Sequence, residues 1–141
     1  MNVGIGYCNK KDARLSGKKV AETAIKKGGI HRPDLVLAFC HGQLDHDEYF
    51  KGLQAVVGND VPIVGGSAIG IITNDDLSYK GLPAGAAIIQ SDTLQHRVAS
   101  VGELDKDEKQ AGKKLAEKLS IQPKDQLLLI LYDSLHLDLL K

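Results

Sequence analysis

The feature that most constrains the fold is the segment 34–40, DLVLAFC, which follows Pro33 and is apolar from Leu35 onward. Its apolar residues are consecutive and do not alternate with polar ones, a pattern typical of a strand that other elements cover on both faces. Strands of this kind occur chiefly where helices pack against a sheet. The segment therefore predicts an α/β domain.

Helical patterns stand on both sides of this strand. Ser16 is a plausible N-cap for a helix over 17–27, which Gly28 and Gly29 would end because glycine tolerates the left-handed cap conformation. Asp45, three residues before Glu48, resembles a capping box and predicts a second helix that runs to Gly58. A third helix is predicted after the acidic start at 105–108, with Asp107 and Gln110 as a second cap pair.

Further strands are predicted from short apolar runs between turn residues. The runs are 2–8, 61–64, an antiparallel hairpin of 86–89 with 95–101, and a last strand at 127–132. Glycines at 65–70 are expected to interrupt the third strand, and 81–85 to form a turn. The predicted fold is a layered αβ sandwich with about three helices and a mixed sheet of parallel core strands plus an antiparallel hairpin.

Composition excludes several classes of function. The 18 basic and 18 acidic residues cancel, so neither nucleic acid nor an anionic membrane is favoured as a partner. The two cysteines, Cys8 and Cys40, fit a reduced compartment, and the apolar runs are too short for a secretory signal or a membrane span. We therefore expect one cytoplasmic domain over 1–141.

An internal similarity bears on the end of the chain. KKVAE at 18–22 and KKLAE at 113–117 lie in the same order of elements, each leading through a proline into an apolar strand, although good helix formers can match by chance. If the two are related, the second unit is incomplete at the C-terminus. The leucines that end the chain then predict a longer parent protein, or pairing of chains into a homo-oligomer.

Candidate binding residues follow the predicted strands. Cys40, His41 and the glycine loop before Ser67 fall at the C-terminal ends of consecutive strands, the edge where open α/β sheets bind ligands. Glycines there let backbone N–H groups approach an anionic ligand, and the Ser67 hydroxyl adds a donor or acceptor; a tight structural turn is the alternative. The predicted site consists of Cys40, His41, Gly66, Ser67, Gly70 and, from the last strand, Asp133. No cofactor or metal is expected.

Other chemistry fits the sequence less well. Gly4-Ile5-Gly6 begins like a dinucleotide fingerprint, but Asn9 stands where the third glycine belongs. His41, Asp45, His46 and Asp47 are metal-capable, yet their spacing matches no familiar zinc pattern. The alternative function is a hydrolase or transferase that uses Ser67 or Cys40 as nucleophile and His41 as base.

The stretch 33–72, PDLVLAFCHGQLDHDEYFKGLQAVVGNDVPIVGGSAIGII, resembles the N-terminal FIST domain in the order and spacing of its elements. The resemblance centres on PIVGGSAIGII at 62–72 and extends in order over nearly the whole chain. Gly66 occupies a position often filled by cysteine in that family, and Ile71 one usually filled by glutamate, which places the ligand preference in doubt.

The resemblance implies a non-catalytic sensory domain of a signal-transduction protein. It implies a small ligand, with amino acids or their derivatives the proposed class, and relay to a C-terminal FIST region or another signalling partner. It brings no catalytic residues.

Overall fold

The structure, a computed structural model, describes residues 1–132. The chain forms two compact units, Met1–Leu94 and Gln95–Lys141, of which the second is described as far as Tyr132. No helix among the described residues is long and apolar enough to cross a bilayer. Asp133, the last of the predicted site residues, lies outside the described part of the chain.

The first unit contains two helices, a four-stranded sheet and a two-stranded hairpin. Its elements are β1 (Asn2–Asn9), α1 (Ala13–Gly28), β2 (Leu35–His41), α2 (His46–Val57), β3 (Ile63–Ala68), β4 (Ile71–Ile72), β5 (Leu77–Ser78) and β6 (Pro83–Gln90). The sheet order is β1-β6-β2-β3, in which β6 is antiparallel to both neighbours and β2 and β3 are parallel. The mixed sheet, the hairpin and three helices confirm the predicted fold class.

The first helix begins earlier than the sequence predicted. Asp12 is its N-cap, and the Asp12 carboxylate accepts a hydrogen bond of 2.9 Å from the Leu15 N–H. Ser16 is fully buried inside the helix, where its hydroxyl donates to the Lys10 carbonyl, so its assignment as the cap was wrong. The predicted end is confirmed, since Gly29 adopts the left-handed conformation with φ of 58°.

Glycines allow α1 to approach β1 at backbone distance. A Cβ atom at Gly4 or Gly6 would overlap a main-chain carbonyl of α1, that of Ala24 or Val20 respectively. The G-x-G pattern at the start of the chain therefore serves helix–sheet packing, and nucleotide binding is not needed to explain it.

Both helices of this unit share one core on one face of the sheet. Val36, Ala38 and Cys40 of β2 are buried in that core, while Leu37 and Phe39 between them are only half-buried. The helices α1 and α2 lie on one side of β2, and among the described residues its other face is only partly covered, so the predicted cover of both faces is found in part. We call the side that carries Leu37 and Phe39 the open face.

Several predicted boundaries differ from the structure. β3 runs through Gly65, Gly66 and Ser67 instead of ending before them, and β6 begins at Pro83, inside the predicted turn. Residues 95–101 and 127–132 form no strand among the described residues. Strand formation requires a neighbour for hydrogen bonding, and an apolar run does not supply one by itself.

The second unit is built around α3, Glu108–Leu119. Asp107 is its N-cap and accepts a hydrogen bond of 2.8 Å from the Gln110 N–H, as the sequence predicted. Ala111 is buried, and Leu115 and Leu119 are half-buried on the same side.

Candidate functional site

The candidate site lies where the parallel strands β2 and β3 end side by side. Their register pairs Phe39 with Gly66, Cys40 with Ser67, and His41 with Ala68. Two segments separated by more than twenty residues are thereby placed at one edge of the sheet, which we call the rim. The predicted residues Cys40, His41, Gly66 and Ser67 all belong to it.

These four residues divide between the two faces of the sheet. Paired residues of neighbouring strands point to the same face, and successive residues alternate. Cys40 and Ser67 therefore point towards the helices, whereas His41 and Gly66 point to the open face. Cys40 is 1% exposed, while Gly66 and Ser67 are exposed. Ser67 and Gly66 are therefore accessible from opposite faces of the sheet.

His41 is held by the loop that follows it. Its Nδ1 accepts a hydrogen bond of 3.2 Å from the Gln43 N–H. The hydrogen bonds of residues 1–132 include none from His41 to Cys40 or Ser67. The alternative of a nucleophile activated by His41 thus receives no support from the geometry.

The Cys40 thiol is unsuited to nucleophilic work at neutral pH. Burial raises its pKa from 9.0 to about 11, so the thiol keeps its proton. Cys8 is also buried and free, and the register places both cysteines on either side of Ala84 in β6. Two strand spacings, roughly 10 Å, separate them, so their strands are not paired with each other.

The glycines of the rim differ in how much room surrounds them. A Cβ atom at Gly65 would overlap the carbonyl oxygen of Ala38, whereas one at Gly66 would meet nothing within 4 Å. At Gly42, in the loop after β2, a Cβ would make an ordinary contact of 3.8 Å with the Ser67 side chain. Gly65 is therefore required by packing, and Gly66 leaves open space in front of the sheet.

Gly70 and Ile71 connect the rim to the hairpin. Gly70 lies against the ring of Tyr79, and a Cβ there would clash with that ring. Ile71 is 8% exposed and covers Gly85 of β6, placing an apolar side chain on the open face where the FIST pattern usually has glutamate. The sequence identified that difference, but the contact with Gly85 could not be found from it.

Among the acidic and histidine residues after β2, Asp45 has a structural role. The Asp45 carboxylate accepts a hydrogen bond of 3.0 Å from the Glu48 N–H and caps α2, as predicted. No group of three or more metal-capable side chains occurs among residues 1–132.

Each unit has a cavity lined by residues outside the rim, and the sequence pointed to neither. The first unit has one of about 170 Å³, bounded by β1 and by the turn 73–76. The Lys27 ammonium and the Asp75 carboxylate, 2.6 Å apart, close one side of it. The second unit has an open groove of about 560 Å³ between residues 100–103 and α3, lined by Lys114, Glu117 and Lys118 among others.

Comparison with known proteins identifies the family of the chain. No curated protein matches the chain. The family model of the FIST N domain matches residues 34–140, more than half of the chain, and that match includes β2, β3 and the whole rim. FIST domains are sensory domains of signal-transduction proteins. The chain belongs to the FIST N domain family.

Proposed function

We propose that this chain is a non-catalytic sensory domain that binds a small polar ligand, an amino acid or a derivative of one, at the rim of β2 and β3. The proposed contacts are Cys40, His41, Gly66, Ser67 and Gly70, with Asp133 as a further expected member. Ligand occupancy would then be relayed to a signalling partner.

The observation that carries the proposal is the pairing of Cys40 with Ser67 at the ends of parallel strands. In open α/β sheets this is the edge at which ligands bind. Here Ser67 has an exposed hydroxyl that can hydrogen-bond a polar group of a small ligand. Gly66 has no side chain, so the ligand can also approach the main chain of the sheet. A protonated, buried Cys40 acts as a small apolar wall beside them.

A thermal-shift series against an amino-acid panel tests the proposal. A ligand at one hundred times its dissociation constant adds about 2.7 kcal/mol to the free energy of unfolding, which raises the melting temperature by several degrees. Ser67→Ala is expected to weaken the shift. Ser100→Ala, an exposed serine of the second unit, is the matched control and leaves the shift unchanged.

Absence of a shift with every member of the panel would remove the support for amino-acid sensing. A shift that Ser67→Ala leaves intact would place the ligand elsewhere, with the cavity beside Lys27 and Asp75 as the next location to examine.

A further inference from the structure

Among residues 1–132, no strand pairs with the outer edge of β3. β3 is the last strand in the order β1-β6-β2-β3, and Gly65, Gly66 and Ser67 are exposed. Val36 N–H donates to the Pro62 carbonyl over 3.0 Å. With the parallel register, that bond directs the main-chain groups of Val64, Gly66 and Ala68 to β2.

The alternate residues of β3 consequently face outward. Ile63, Gly65 and Ser67 present their N–H and C=O groups at the side of the strand away from β2. Three successive donor–acceptor pairs at this spacing match the main chain of an extended peptide.

The strand at the other end of the same sheet, β1, has a turn as its neighbour. At β1 the turn 73–76 lies beside the strand, and the ion pair of Lys27 with Asp75 joins that turn to α1. Native sheets usually protect edges with charges, prolines or covering loops. β3, with the sequence IVGGSA, carries no charge and no proline within its span. An edge left without these devices is suited to pairing with another chain.

Acidic residues near the two ends of this edge favour binding of a peptide that carries positive charges. Asp60 precedes β3, and Asp45 and Asp47 lie on the segment that follows β2, near the other end; all three are exposed. Residues 52–79, which include β3, contain no lysine, arginine or histidine. An extended peptide with positive charges near its ends complements this distribution.

We propose that the ligand of the rim is a basic, extended peptide segment whose main chain adds to the sheet beside β3. The inference rests on the proposed ligand-binding function and specifies a peptide, in place of a free amino acid, as the ligand. A peptide is still built of amino acids, but it can hydrogen-bond the main-chain groups of both Gly65 and Ser67. A free amino acid can make only some of these hydrogen bonds.

The test uses a blocked pentapeptide of sequence KVTVK and three comparisons with the intact chain. The first comparison is the matching depsipeptide, in which ester oxygens replace the main-chain N–H groups. The second is the acidic analogue EVTVE, and the third is the panel of free amino acids. Binding is measured by titration, and amide hydrogen exchange is followed at Gly65, Gly66 and Ser67.

We expect KVTVK to bind and to slow exchange at Gly65 and Ser67 by at least about tenfold, while Gly66, already bonded to β2, is unchanged. The depsipeptide is expected to bind at least about tenfold more weakly, and EVTVE several-fold more weakly at low salt.

Equal binding of the depsipeptide, equal binding of EVTVE, or protection confined to residues outside β3 would overturn the inference. If free amino acids bind and KVTVK does not, the proposed function stands and the peptide inference falls; if neither binds, both fall. Concentration-dependent protection of Gly65 and Ser67 without peptide would assign the edge to a second copy of the chain and also overturn it.

Discussion

The hydroxyl of Tyr49 donates a 3.0 Å hydrogen bond to the main-chain carbonyl of Gly85, and this bond joins α2 to a central strand of the sheet. Both partners are buried. The Tyr49 ring thus lies over the layer that also contains Cys40 and Cys8, and burial, with a smaller contribution from these two thiol groups, raises the pKa of its hydroxyl. Gly85 pairs with Phe39 of β2, so this bond connects α2 to the part of the sheet next to the rim.

Tyr49→Phe tests the importance of that bond. The substitution keeps the ring but leaves the Gly85 carbonyl without its donor inside the core, which costs about 1–3 kcal/mol of unfolding free energy. Urea denaturation of the two proteins measures the difference. Tyr79→Phe, at an exposed ring, is the control and should be nearly neutral. Equal stability of Tyr49→Phe and the parent would show that the bond contributes nothing.

Gly65 and Gly66 are expected to respond differently to the same added methyl group. Gly65→Ala forces a Cβ into the Ala38 carbonyl and should destabilise the first unit by about 2 kcal/mol or more, since backbone must move. Gly66→Ala enters open space and should change stability by less than about 1 kcal/mol. Chemical denaturation compares them, and similar losses for both would contradict the rim geometry.

The packing role of the first glycines has its own test. Gly6→Ala places a Cβ against the Val20 carbonyl and is expected to lower the free energy of unfolding by at least about 2 kcal/mol. In contrast, Gly112→Ala in α3 meets no neighbour within 4 Å and should stabilise that helix by up to about 1 kcal/mol. Thermal and urea unfolding provide both values. A Gly6→Ala protein as stable as the parent would refute close helix–strand contact.

Asp45 is expected to matter as a helix cap. Asp45→Ala removes the acceptor for the Glu48 N–H and should cost about 1 kcal/mol, whereas Asp45→Asn, which keeps a capping oxygen, should cost only a few tenths. Circular dichroism during urea titration gives the two values. If instead Asp45→Asn were as damaging as Asp45→Ala, the charge and not the cap would be responsible.

Stability is expected to fall at alkaline pH. The Cys40 thiol loses its proton near pH 9 in the unfolded chain and near pH 11 in the folded one, so the unfolded state binds fewer protons between these values. The contribution of the protonated thiol to the free energy of unfolding is fully present below pH 9. It declines by about 3 kcal/mol as the pH rises through 11. Tyr49, whose pKa is also raised, adds a loss in the same direction above pH 10.

Urea midpoints measured from pH 8 to pH 11 report this decline. Cys40→Ala removes the thiol and should show a shallower dependence between pH 9 and 11. The attribution to Cys40 would fail if the substituted and parent proteins lost stability in parallel.

Local patterns predicted elements whose signals lie close together in the sequence. Asp45 before Glu48 and Asp107 before Gln110 placed two helix starts, and Gly29 one helix end, because capping depends on residues within one turn. The apolar segment after Pro33 placed β2 for a similar reason. Local signals placed Cys40 and His41 at a strand end, whereas β3 was predicted to stop before Gly65, and only the register puts Cys40 beside Ser67.

Only the tertiary structure decided which strands are neighbours. β6 lies between β1 and β2, so Cys8 and Cys40 are separated and β3 is the last strand of the sheet. Ile71 packs against Gly85 of β6. Sheet order depends on hydrogen bonds between residues far apart in the chain, and hydrophobic periodicity contains no information on which strand supplies them. The same limit explains the wrong strand predictions at 95–101 and 127–132. The sequence alone determined the fold class, the N-caps of α2 and α3 and the family of this protein, while long-range pairing determined the faces, the edges and the surroundings of the candidate site.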